Sequence, residues 1–212
     1  MPIFIMNAPL SLFYFLVLIF SIIVHEVAHG IAAEKEGDST ARLLGRITLN
    51  PIPHIDLFGS IILPLILILS HAGFVVGWAK PVPYDERNLR NGRRSVAKVA
   101  IAGIVVNLTI ALVFGIFIRI LFAVGIATPA LIEIVSIVVL MNLVLALFNA
   151  IPIAPLDGFR FLSVILPIRA QPAFRLLEQW SLPLLIAFLF LGWKYVVPLV
   201  FFIYQLLTGI AL

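Results

Sequence analysis

Residues 10–34 read LSLFYFLVLIFSIIVHEVAHGIAAE. Leu10–Val24 is nearly free of polar groups, and then two histidines and a glutamate interrupt the run before it ends near Glu34. A helix through this stretch is apolar on every side, which suits lipid and not the surface of a soluble domain. The rest of the chain agrees. Of 212 residues, 63% are hydrophobic and 11% charged, against about 25% charged in ordinary soluble domains. Mean hydropathy is +1.20. A soluble fold of this size cannot hide so much apolar surface, so the chain reads as an integral membrane protein.

Working outward, residues 34–56 hold Gly37, Asp38 and Gly45, and Ala41–Leu49 reads as one or two short strands. Residues 57–76 are apolar but broken by Gly59, Pro64, His71 and Gly73, and a polar loop covers 77–97. Spans are expected over 98–124 and 131–150. A proline-rich stretch follows over 151–178, and the apolar tail 177–212 reads either as one span or as two joined by a turn at Gly192–Tyr195. The fold class is an all-α polytopic membrane protein of about five to six transmembrane helices, with a small β-strand or re-entrant element between the first and second full spans. Residues 1–212 read as one membrane-embedded domain, with its core over about 10–165 and C-terminal helices over about 177–212.

His25-Glu26-Val27-Ala28-His29 carries the chemistry. Residues four apart on a helix lie about 40° apart around the axis and about 6 Å along it, so both imidazoles face one metal ion. Glu26 stands beside them, placed to take a proton from water activated there. A carboxylate in a membrane helix costs on the order of 2.5–3.5 kcal/mol and is usually functional. A catalytic zinc takes three protein ligands. The chain has no Cys, which excludes thiolate zinc sites, disulfide scaffolds and cysteine nucleophiles. Its two other histidines, His54 and His71, read as polar groups of irregular segments. The third ligand is therefore expected to be a carboxylate, with Asp157 in Asn149-Ala-Ile-Pro152-Ile-Ala-Pro155-Leu-Asp157-Gly158 the best candidate. The plainer reading of Asp157 is an N-cap for the next helix.

HExxH in a membrane helix, followed by N-x-x-P-x-x-x-x-D-G at the end of a later one, resembles the site-2 protease family of intramembrane zinc metalloproteases. Gly45-Arg46-Ile-Thr-Leu-Asn50-Pro51, His54-Ile-Asp56, Gly77-Trp78-Ala-Lys80-Pro81-Val-Pro83 and Ala102-Gly103-x-x-x-Asn107 are similar to compact prokaryotic members that lack PDZ and CBS domains. Ile104 stands where the family often has proline. The resemblance implies one Zn2+ per chain on His25, His29 and Asp157, with Glu26 as general base or acid. It also implies that Asn149 binds substrate or stabilises the oxyanion. Asn107 and Asn142 read either as facing the site or, more plainly, as helix–helix hydrogen bonds.

His25 and His29 sit toward the C-terminal end of one span and Asp157 just beyond the end of another. They meet only if those spans run in the same direction, with an odd number of crossings between them. Residues 98–124 supply one crossing, so 57–76 is expected to dip in and return as a hairpin broken near Pro64 or Gly73. Basic residues agree: three in 34–56, six in 77–98 and three in 158–178 place twelve of the fourteen on one side, and 125–130 has none. The positive-inside rule then puts the N-terminus outside and the zinc nearer the cytoplasm of a prokaryotic cell membrane. The basic balance is a topology signal, with no nucleic acid expected.

The expected reaction is hydrolysis of a peptide bond within or near a transmembrane segment of a substrate protein, as in regulated intramembrane proteolysis. The strand region, with Arg46 and Thr48, would bind the unwound substrate as an added strand, joined by Asn107 and Asn149. A zinc or divalent-metal transporter and a non-catalytic helix-binding relative are the alternatives. Arg119 and Glu133 are expected to pair or snorkel to the surface, and Trp193, Lys194 and Tyr195 to anchor the interface.

Overall fold

The computed structural model describes residues 8–70 and 77–211. Its elements are α1 (Ala8–Lys35), α2 (Thr40–Leu43), α3 (Leu63–Leu69, continuing a π-helical turn over Leu57–Ile62), α4 (Arg93–Val124), α5 (Pro129–Asn149), α6 (Asp157–Ile165), α7 (Gln171–Gln179), α8 (Ser181–Ala187) and α9 (Trp193–Thr208). Among the described residues, four helical runs are long and apolar enough to cross a membrane: Leu12–Lys35, Arg93–Val124, Pro129–Asn149 and Ser181–Thr208. This is a multi-pass membrane protein. Five to six spans is therefore more than these residues provide.

Sequence chemistry explains the helix ends. Thr128 caps α5 by accepting from the Leu131 N–H at 3.3 Å, and Pro129 opens the helix where its missing N–H costs nothing. At the same end of the bundle, Arg119 of α4 donates to the carbonyls of Leu206 (2.7 Å) and Leu207 (2.6 Å), satisfying the orphan acceptors where α9 stops. Its charge is spent there, and no ion pair with Glu133 occurs among the described residues.

Helices α4, α5 and α9 share an apolar core that includes Ala111, Ile118, Val139, Leu143 and Val200. Within it Ser136 and Tyr204 pair their hydroxyls at 2.6 Å, as buried polar groups must. Helix α1 packs on α4 and α5.

Two expected local features differ. No strand occurs among the described residues, and Ala41–Leu49 forms α2 and the turns after it. Only Ala41 and Arg46 are buried there, the Ala41 carbonyl accepts the Arg46 N–H at 2.8 Å, and Arg42 folds back onto Glu34. Local bonding thus claims the backbone groups that a strand would have offered. Nor does the tail turn at Gly192–Tyr195: a π-helical turn over Phe188–Gly192 joins α8 to α9 in one helical run. Trp193 packs edge-on against Phe148, with ring centroids 6.1 Å apart.

The segment after Asp56 leaves and returns at one place. The Trp78 N–H donates to the Gly59 carbonyl (3.2 Å), the Ser60 hydroxyl to the Trp78 carbonyl (2.8 Å), and the Lys80 N–H to the His54 carbonyl (2.8 Å). A full crossing would separate these ends by about 30 Å. His71, Gly73 and the expected return arm lie outside the described residues.

Asp38 ties the loop after α1 to the loop before α4. Its fully buried carboxylate accepts from Thr40 Oγ1 (2.6 Å), Thr40 N–H (3.2 Å), Asn88 Nδ2 (2.9 Å) and Asp85 N–H (2.8 Å). Burial pushes its pKa up, but the bonds from Thr40, Asn88 and Asp85 outweigh that and hold it below the usual 3.8. The stabilisation is therefore complete above that value and drains away as pH falls through the folded-state pKa. Replacing Asp38 by Ala strands four donors and is expected to cost at least ~3 kcal/mol. Denaturant unfolding in detergent measures this; a loss below 1 kcal/mol contradicts the anchoring role.

Candidate metal centre

The HExxH turn lies in the last third of α1, where that helix meets α4 and the start of α6. His25 and His29 are buried, with 6% and 7% of their surface exposed. Their Nε2 atoms are 3.2 Å apart, and Asp157 Oδ2 lies 3.0 Å from His25 Nε2 and 3.2 Å from His29 Nε2. Asp157 lies more than 120 residues from the two histidines in sequence, and it reaches them because α1 and α5 run in the same direction.

Two glycines make that convergence possible. A Cβ on Gly103 of α4 would stand 2.5 Å from His25 Nε2 and 2.6 Å from its Nδ1, so only glycine lets α4 approach the ring. A Cβ on Gly158 would stand 2.8 Å from the Ile151 carbonyl oxygen, so glycine also lets α6 abut the end of α5 and deliver Asp157. Gly103→Ala is expected to displace the His25 ring and weaken zinc binding at least tenfold. Competition with a chelator reads this out, and unchanged affinity would contradict the close approach.

The orientation of His29 is fixed. Its Nδ1 lies 2.7 Å from the Val99 carbonyl, which can only accept, so Nδ1 carries the proton and Nε2 presents its lone pair toward Asp157. Asp157 Oδ2 is buried without a hydrogen-bond donor aligned on it. His25 Nε2 thus faces two electron-rich atoms, His29 Nε2 and Asp157 Oδ2, at 3.0–3.2 Å, and a single ring proton serves only one of them. That crowding is costly without a cation. Ligand atoms around tetrahedral zinc with bonds of about 2.0–2.1 Å lie about 3.3 Å apart, so spacing and donor set both fit Zn2+.

Glu26, half-buried, is not among the three. Its Oε2 accepts the Val82 N–H at 2.9 Å. Val82 stands between Pro81 and Pro83, so it holds the one N–H in that triplet. Arg46 secures the same loop, donating through Nη2 to the carbonyls of Lys80 (2.8 Å) and Pro81 (3.2 Å).

The comparisons with known proteins point the same way. A model of peptidase family M50 matches residues 118–192. The chain is 43% identical over 166 residues to "Putative zinc metalloprotease YwhC" of Bacillus subtilis (strain 168), covering 75% of this chain and 72% of that protein. The chain belongs to peptidase family M50, the site-2 proteases. No solved structure matches it. As an M50 member it is a zinc-dependent metalloprotease, and His25, His29 and Asp157 form the group of three suited to the ion among the described residues.

Other residues expected at the M50 site have specific placements. Asn149 ends α5 and donates to the Leu145 carbonyl at 2.9 Å. Arg46 and Thr48 lie in turns, with Thr48 Oγ1 accepting the Asn50 N–H (3.1 Å) and the Thr48 carbonyl accepting from His54 Nε2 (2.9 Å). His54 is thus the structural group that its segment suggested. Asn142 does bridge helices, donating to Ser21 Oγ at 3.0 Å, whereas Asn107 is fully buried with no partner on either amide atom.

The sequence reading missed Val99 and Val82, which act through backbone groups that their side chains do not advertise. The Pro-Val-Pro triplet was the available signal for Val82.

Proposed function

We propose that this metalloprotease, as one membrane-embedded domain over residues 1–212, hydrolyses a peptide bond within or beside a membrane-spanning segment of another protein. Its role would be regulated intramembrane proteolysis in a prokaryotic cytoplasmic membrane. The observation that carries the reading is the His25–His29–Asp157 cluster, its two histidines buried on a helix long and apolar enough to span a bilayer and its aspartate just past the end of another such helix.

His25, His29 and Asp157 hold one zinc, which when bound polarises the scissile carbonyl and acidifies water. Glu26 accepts the proton released in attack and passes it to the leaving amine. Asn149 has a second amide N–H beyond the one given to Leu145, and that hydrogen stabilises the negative charge developing on the scissile oxygen. A helical substrate must unwind locally, since its backbone is otherwise closed in i→i−4 bonds. Arg46 and Thr48 act on substrate through the loops they hold, and 57–76 dips in and returns to its own side of the membrane.

The site lies nearer the cytoplasm. The three basic segments gather at its end of the bundle: Asp38 binds Asp85 and Asn88, Lys98 binds Glu36, Arg160 donates to the Tyr84 hydroxyl at 2.8 Å, and Arg93 donates to the Leu166 carbonyl.

Proteoliposomes containing the purified enzyme and a single-span substrate test this reading, with cleavage positions mapped by mass spectrometry. Expected are cuts within or beside the apolar segment, stopped by a zinc chelator and restored by Zn2+. Cleavage of soluble peptides alone would contradict it.

A further inference from the structure

Seven buried side-chain nitrogen or oxygen atoms lack a hydrogen-bond partner among the described residues, and four of them are His25 Nδ1, both amide atoms of Asn107, and Asn142 Oδ1. Buried polar groups are rarely left so, and each needs a partner. Helix register places these four together. His29 of α1 meets Val99 of α4, and His25 meets Gly103, four residues farther along α4 and four back along α1. One more turn of this antiparallel pair sets Ser21 opposite Asn107. Ser21 Oγ in turn accepts from Asn142 of α5 at 3.0 Å. Asn107 and Asn142 are fully buried and Ser21 nearly so, which places one neutral polar layer a helical turn deeper than His25.

We propose that this layer binds one internal water, which accepts the His25 Nδ1–H and donates to the amide oxygens of Asn107 and Asn142. Three partners are the usual number for a buried water. The set carries no charge, so water and not a second cation is its occupant. A His25 that binds zinc through Nε2 keeps its ring proton on Nδ1. A metal-binding histidine almost always has its other N–H held, as Val99 holds that of His29. Asn107 is thus a positioning residue: it aims His25 through the water and touches no reacting atom.

The inference rests on His25 being a zinc ligand. It is tested by chelator competition on the full-length protein in lipid nanodiscs, comparing Asn107→Ser with Asn107→Ala. The two leave similar space, and only serine keeps a hydroxyl for the water. Expected is a 10–100-fold loss of zinc affinity in Asn107→Ala, with Asn107→Ser within about threefold of the parent. Equal affinities in the two variants, lowered or not, overturn the proposal. Nitrogen-15 NMR of the zinc-loaded parent, labelled at histidine, gives a second measurement that needs no variant. The His25 Nδ1–H is expected to show magnetisation transfer with water, and its absence overturns the proposal as well. His25→Ala separates the two readings: undiminished zinc affinity there refutes the ligand assignment itself, whereas strong loss there with equal Asn107 variants refutes only the water.

Discussion

Replacing Glu26 by Gln is expected to lower turnover by about 10²–10⁴-fold, the range for a lost general base, while zinc content stays at one ion per chain. The two effects separate because of where Glu26 sits. It is not one of the three clustered groups, and its Oε2 accepts the Val82 N–H at 2.9 Å. A glutamine oxygen accepts the same N–H, and the side chain fills nearly the same volume, so the 77–92 loop keeps its seat. Only the ability to take up a proton is gone. Metal analysis and initial rates on the same preparation check both halves. Turnover within fivefold of the parent would remove Glu26 from its assigned role, and loss of zinc would show that it supports the metal instead.

Replacing Asp157 by Asn is expected to weaken zinc binding by more than ~100-fold, beyond what losing an outer-shell partner costs, with activity lost alongside it. Asp157 supplies the negative charge among the three proposed ligands, against two imidazoles. The change spares the fold. Asp157 opens α6, where an acid favours the helix N-terminus by about 0.3–1 kcal/mol, so the apo protein loses little stability. Isothermal titration with Zn2+ beside circular dichroism of both apo forms distinguishes the outcomes. Zinc affinity within tenfold of the parent would refute the ligand assignment. Gross unfolding of apo Asp157→Asn would assign Asp157 to structure.

The parts legible in the sequence were those in which rare residue types stood in an apolar background. His25, Glu26 and His29 were readable because lipid leaves so few reasons for such groups, and Asp157 because the prolines around it exclude ordinary helix. Requiring these groups to meet also implied that 57–76 returns to its own side, and the Trp78–Gly59 bond shows its ends together. Ala41–Leu49 was misread because apolar alternation signals a half-buried strand only where water lies on the other face. Leu43 and Leu44 are 84% and 61% exposed, and here exposure carries no penalty if lipid covers them. The tail, which read as one span or two, stayed open for a different reason. Gly192 beside Trp-Lys-Tyr has the composition of a turn, yet a π-helical turn absorbs it without breaking the helix. Contacts such as Val82 with Glu26 link backbone to side chain across 56 residues, and no local pattern encodes them.

X-ray absorption at the zinc edge of the purified, zinc-loaded protein tests most directly whether three distant side chains hold one ion. Multiple scattering from two imidazoles, with the remaining atoms bound to zinc being light oxygen or nitrogen donors, is the result predicted. A spectrum requiring three or more imidazoles, or none, would contradict it.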